Sequence, residues 1–206
     1  MTNTNNITVA PKELLKIEKI NQEHNLTVSV LEGATFEGVF FQNGHPLTVT
    51  VLLEGENSSC DLKAVYCADV QNPCDITFNV IHKHSKTFST QQINGVVAKG
   101  AKAVFNGLIH IPFHCAGCTG HQQHHAVLLD SNAVVEATPA LEIYNDDVEC
   151  SHGSSVGALD EQQLFYLYSR GISEKEAKKI LINGFLNHIL PPAFSITVTD
   201  WMNNNV

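Results

Sequence analysis

The feature that most constrains this chain is a succession of short apolar runs separated by polar turns. From Leu26 onward, LTVSVLEGATFEGVFF, LTVTVLLEG, DLKAVYCA, DITFNVIH, GVVAKGAKAVFNGLIHI, AVLLD, AVVEA and ALEIY follow one another. Each is rich in Val, Ile, Leu, Phe or Thr. Many alternate, as in Leu47-Thr48-Val49-Thr50-Val51, which puts every second side chain on one face of a strand. The turns recur at intervals of roughly 20–30 residues, a spacing that suits stacked β coils, each burying its face on the next. A β-sandwich also uses many short strands and is the competing architecture. Asn43-Gly44 and Asn94-Gly95 are the nearest approaches to a hairpin turn, and the lack of clean hairpin signals leans toward the solenoid. The segment PKELLKIEKINQEH fits either a short helix or a strand, and the polar residues Met1 to Asn6 are expected to fray.

The pattern changes near Gly157, which divides the chain into an expected β core over 1–157 and a helical region over 158–206. Asp160, with Gln163 three residues on, can cap a helix over EQQLFYLYS that Gly171 ends. Ser173 and Glu176 form a capping box for a second helix, whose apolar stripe is expected at Ala177, Ile180, Leu181, Gly184, Phe185, His188 and Ile189. Pro191-Pro192 stops it. The last residues, ITVTDWMNNNV, are expected to add one strand or trail off.

Several function classes are excluded by composition. A net charge of −9, with 12 Lys and Arg against 21 Asp and Glu, disfavours nucleic acid as the main ligand. No apolar run approaches the roughly 20 residues of a membrane span. The amino-terminal sequence lacks the basic and apolar regions of a signal peptide, so a cytoplasmic protein with reduced cysteines is expected. A carbohydrate-active β-helix would need clustered carboxylates and aromatic platforms, yet the aromatic content is 7% with one Trp.

Two clusters carry possible chemistry. In HCAGCTGHQQHH, Cys115, Cys118, His121 and His124 are four potential metal ligands within ten residues. The run is more compact than usual zinc motifs, and a polar edge of the β body is the alternative. A stand-alone zinc- or iron-binding solenoid would use this cluster. In LEIYNDDVECSHGSSVG, Cys150 and His152 are two apart and on a strand face the same side; taken alone they fit a turn cysteine and a surface histidine. Asp146, Asp147 and Glu142 fit turn and strand-end roles, and Cys60, Cys67 and Cys74 fit small core residues. His82 and His84 suggest no assignable chemistry.

The run GLIHI, then LLDSNAVVEATPALEIYNDDVECSHGSSVG, then LDEQQLFYLYSRGI and an amphipathic helix resembles the SufB/SufD family of SUF iron–sulfur cluster assembly proteins. The resemblance extends in one register from Val80 to Leu190. SufB-like chains carry a glutamate after the motif histidine, and Gly153 here makes the chain similar to the SufD branch. The resemblance implies a right-handed parallel β-helix followed by a short helical region. It also implies a non-catalytic subunit that pairs through the β-helix with a SufB-like scaffold, or with itself as a homodimer. Its helical tail would dock a SufC-like ABC-type ATPase through Phe165, Tyr166, Tyr168, Ile180 and Phe185. Cys150 and His152 match the family's Cys-Ser-His, the position linked to cluster assembly, with iron or a cluster held only transiently at the interface. In agreement, no Gly-x-x-x-x-Gly-Lys-Ser/Thr phosphate loop is present. The chain departs from the family at Cys115 and Cys118, and it begins almost at the β body, as expected of a short form without the family's amino-terminal helical region.

Overall fold

A computed structural model describes residues 5–22 and 24–206; the expected fraying of the first residues falls partly on 1–4, outside the described ones. Among the described residues, twelve strands alternate between two parallel sheets. One holds Asn5–Val9 (β1), His24–Val30 (β3), Leu47–Leu53 (β5), Cys74–His82 (β7), Lys102–Ile111 (β9) and Val134–Ile143 (β11). The other holds Leu14–Ile20 (β2), Thr35–Gln42 (β4), Ser59–Ala68 (β6), Phe88–Val97 (β8), Cys118–Leu128 (β10) and Val148–Ala158 (β12). Each coil contributes one strand to each sheet, giving a parallel β-helix. The coil lengthens along the chain, from 21 residues between the paired Asn5 and Leu26 to 32 between Gly107 and Pro139. The ambiguous amino-terminal segment is therefore a strand, β2.

Alternation explains why these residues make strands. In β5 the burial alternates strictly, with Leu47, Val49, Val51 and Leu53 inside and Thr48, Thr50 and Leu52 half-exposed. Parallel register stacks like on like, so Val28, Val51, Val80 and Ile109 form one buried column, each beside the next. Phe36, Phe40, Phe78 and Phe105 fill the lumen between the sheets. Each such side chain contributes about 2–3 kcal/mol by leaving water. Cys60 and Cys74 lie in this core, and Cys67 in the cluster beneath the helices.

The lumen of the second sheet changes character from coil to coil. One inward column runs Phe36, Cys60, Ser89, Gly120, Cys150. Its neighbour runs Gly38, Leu62, Gln91, Gln122, His152, and the next Phe40, Ala64, Ile93, His124, Ser154. The interior is apolar in the early coils and polar in the last.

Three helices follow: Glu161–Ser169 (α1), Glu174–Asn187 (α2) and Ser195–Asn205 (α3), with a 3-10 turn at Pro192–Phe194. The Asp160 side chain accepts from the amides of Gln162 and Gln163, and Ser173 caps α2 through the Glu176 amide. After α1 the chain reverses at Gly171, whose φ of 82° suits a residue without Cβ. Two expectations are corrected here. ITVTDWMNNNV is helical: although its β-branched start favours a strand, Val198, Trp201 and Met202 are buried with Phe41, Val65, Cys67 and Val96 on the outer face of the second sheet. Tertiary burial outweighs local propensity. The buried stripe of α2 is Ala177, Ile182 and Leu186, continuing to Ile189, and Ile180 faces solvent.

Candidate functional site at the open coil

β11 pairs only with β9, and β12 only with β10, so the last coil presents two unpaired strand edges. Among the described residues no further coil stacks on it. Along β12 the positions facing inward are Val148, Cys150, His152, Ser154 and Val156, continuing the columns above. In β4, β6, β8 and β10 the equivalent positions are sealed; here Cys150 is half-buried, and His152, Ser154 and Val156 are exposed. Cys150 and His152 thus share the inner face of a coil that lies open.

The surroundings of the thiol are mixed. Cys150 packs with Val148 and Leu141 against Ile109, Ile111, Cys115 and Cys118. Burial pushes its pKa up, the Gly120 backbone amide pulls it back, and the neighbouring Cys118 adds to the rise. A thiol in such a place favours the protonated form until a metal or other electrophile displaces the proton.

Beneath the open face lies a hydrogen-bonded floor. His124 Nε2 is 2.9 Å from the Tyr66 hydroxyl, and His124 Nδ1 is 2.9 Å from Ser154 Oγ. Gln122 Nε2 donates to Gln91 Oε1 at 2.9 Å, leaving the Gln122 Oε1 acceptor buried without a partner among the described residues. His82 lies in the lumen with Nδ1 2.7 Å from Thr87 Oγ1 and Nε2 3.0 Å from Ser89 Oγ. Sequence reasoning found no role for His82 and missed Tyr66 and Ser154 entirely.

Burial lowers the pKa of both His82 and His124 to about 4. An unfolded histidine titrates near 6.5, so the unfolded state takes up protons first as pH falls. Stability is accordingly level above about pH 7, falls through 6.5, and stops responding to these groups below about 4. Between pH 7.5 and 5 each imidazole is expected to remove about 2 kcal/mol. Urea unfolding at the two pH values measures this, and equal midpoints would contradict neutral buried imidazoles.

The compact Cys/His run does not form one site. Cys115 and Cys118 are buried, their thiols donating to the carbonyls of His82 and His84 at 3.6 and 3.4 Å. His124 lies in the lumen, whereas His121 is on the outer face with Nδ1 2.8 Å from Ser151 Oγ. The odd spacing of 118, 121 and 124 along β10 sends alternate members to opposite faces. Among the described residues no group of three or more His, Cys, Asp or Glu is arranged to hold a metal ion. Asp146 and Asp147 are exposed in a turn closed by Asn145 Oδ1, which accepts from the Asp147 amide at 2.8 Å, and Glu142 pairs with His110 on the outer face. A concavity of about 690 Å³ between α3 and the strand-end loops shares no residue with the open coil. There Asp69 is occupied by the Gln71 and Asn72 amides, the Asn43 and Asn72 side chains and Trp201 Nε1.

The tail carries the second set of expected residues. α1 buries no residue, and Phe165 and Tyr166 are 72% and 57% exposed, with Tyr168 and Ile180 also facing solvent. Phe185 is half-buried against the helix cluster, and its carbonyl accepts from Asn94 Nδ2. No described helix is long and apolar enough to cross a membrane.

Comparison with known proteins places these features. The family described as the SUF system FeS cluster assembly SufBD core domain matches residues 17–185. The chain is 34% identical over 164 residues to the iron–sulfur cluster assembly protein SufD of Escherichia coli, covering 79% of this chain and 39% of that protein. It is 30% identical over 172 residues to a SufBD family protein of Staphylococcus saprophyticus, covering 81% of this chain and 37% of the relative. A Staphylococcus aureus member is 29% identical over the same length. The chain therefore spans less than half the length of these relatives. With a parallel β-helix, a helical tail and a core-domain match over most of its length, the chain belongs to the SufBD family of iron–sulfur cluster assembly proteins and is SufD-like within it.

Proposed function

We propose that this protein is a non-catalytic assembly subunit whose open coil meets the equivalent coil of a SufB-like scaffold, or of a second copy. Cys150 and His152 then lie at the seam, where an iron–sulfur cluster is held in passing as cargo. The observation that carries this reading is that these two side chains share the inner face of the last coil, whose β11 and β12 edges are unpaired among the described residues. Unpaired edges of β11 and β12, with Val134, Tyr144 and Val156 exposed on this coil, support pairing there. The exposed aromatic face of α1 supports docking of a SufC-like ATPase through Phe165, Tyr166 and Tyr168, with Ile180 beside them. Phe185, half-buried, would contribute less. A stand-alone metal-binding role for the 114–125 run has no comparable support, since its members point to different faces.

Co-expression with SufB-like and SufC-like proteins, followed by affinity capture of this chain, tests the reading. Both partners are expected to co-purify. Phe165→Asp with Tyr166→Asp should lower ATPase recovery about tenfold while leaving the thermal midpoint unchanged, because both residues are exposed. Undiminished ATPase recovery with that variant would rule out docking through α1.

A further inference from the structure

We infer that Ser154 is a third polar member of the Cys150/His152 site, its hydroxyl set by His124 and Tyr66 to donate to an anionic sulfur ligand at the open coil. This rests on the assembly function proposed above.

Tyr66 is 1% exposed, and its hydroxyl has His124 as its one hydrogen-bond partner among the described residues. The ring reaches His124, two strands away in the sheet, by lying over Gly95 on the strand between. A buried O–H without an acceptor is costly, so the phenol donates to His124 Nε2. A neutral imidazole with Nε2 accepting carries its proton on Nδ1. Nδ1–H therefore donates to Ser154 Oγ, 2.9 Å away. Ser154 spends one lone pair on this bond and keeps its own O–H.

The ring cannot readily choose otherwise. Phe105 stacks on His124 with centroids 4.8 Å apart and planes within 6°, and the Tyr66 ring, which meets the imidazole through its hydroxyl, lies within 8° of the same plane orientation. His124 is itself wholly buried. The relay thus fixes one tautomer, and that tautomer leaves a donor on the exposed face of β12. Ser154 is the next inward-facing residue after His152, which follows Cys150 in the same way. Thiol, imidazole and hydroxyl form one row. The first two suit iron; a hydroxyl donor suits the sulfide that bridges irons or any thiolate or persulfide sulfur delivered to them.

The test uses the full chain in complex with its SufB-like partner, reconstituted with ferrous iron and sulfide and followed by the visible absorbance of the cluster. Ser154→Ala is expected to shorten the lifetime of the reconstituted cluster roughly tenfold, and Ser154→Thr, which keeps the hydroxyl, to restore it. Nitrogen-15 NMR of the free chain should show His124 as the Nδ1–H tautomer, and Tyr66→Phe should redistribute it. An Nε2–H tautomer in the wild type would overturn the inference. So would a wild-type lifetime in Ser154→Ala while Cys150→Ala and His152→Ala lose the cluster, in which case the assembly reading would stand without it. If none of the three variants alters the cluster, the assembly reading falls, and the role of Ser154 falls with it.

Discussion

Replacing Gly95 with alanine is expected to lower folding stability by about 4 kcal/mol, an unusually large effect for adding one methyl group. A Cβ built at Gly95 would lie 1.9 Å from Tyr66 Cζ and 2.4 Å from its hydroxyl oxygen. The obstacle is an aromatic ring, itself buried and tied to His124, so it cannot swing aside as a surface side chain would. Overpacking a close-packed lumen costs about 1–3 kcal/mol. Displacing Tyr66 also strands its hydroxyl and His124 Nε2 without partners, at about 1–3 kcal/mol more. Urea denaturation at neutral pH measures the loss. The pairing predicts its own control: in a Tyr66→Ala background the obstacle is gone, and Gly95→Ala should then cost less than about 1 kcal/mol. A Gly95→Ala protein as stable as the wild type would mean that Tyr66 does not occupy the space over the strand between β6 and β10.

That interior is where sequence and structure part company. Strand after strand was legible because period-2 alternation, as in β5, is the direct imprint of a face turned toward a lumen. The sequence leaves the sandwich alternative open because alternation says which face is buried and not which strand lies beside which. Cys150 and His152 were found because they are two apart on one strand. Tyr66, His124 and Ser154 are 58 and 30 residues apart, and only the coil length brings them together. Once the register is known, the link is visible: with a coil of about 30 residues at this end, 124 and 154 are the same position on successive turns.

The expectations that shifted did so for local reasons. The Cys/His run from 115 to 124 draws the eye by proximity along the chain, yet proximity on a strand is divided between two faces. His121 and His124 are three apart, and β10 separates them by the thickness of the sheet. At the end of the chain, Ile196-Thr197-Val198-Thr199 carries β-branched residues into a helix because Val198, Trp201 and Met202 bury there. In α2 the sequence stripe was drawn through Ile180, whereas burial selects Ile182. An amphipathic pattern with apolar residues on both sides does not reveal which side meets the sheet. The side that carries Ile180 is the exposed one.

The central claim is that the open coil holds Cys150 and His152 for use at a seam, and maturation in cells tests it most directly. In cells lacking their own SufD-type subunit, the wild-type chain is supplied alongside Cys150→Ala and His152→Ala variants, and the activity of an iron–sulfur reporter enzyme is measured. His152 is exposed, so His152→Ala should melt at nearly the wild-type temperature; Cys150 is half-buried, so Cys150→Ala should melt slightly lower while still accumulating as folded protein. Reporter activity is expected to fall about tenfold or more with either. Wild-type reporter activity from both variants, at equal protein levels, would contradict the claim.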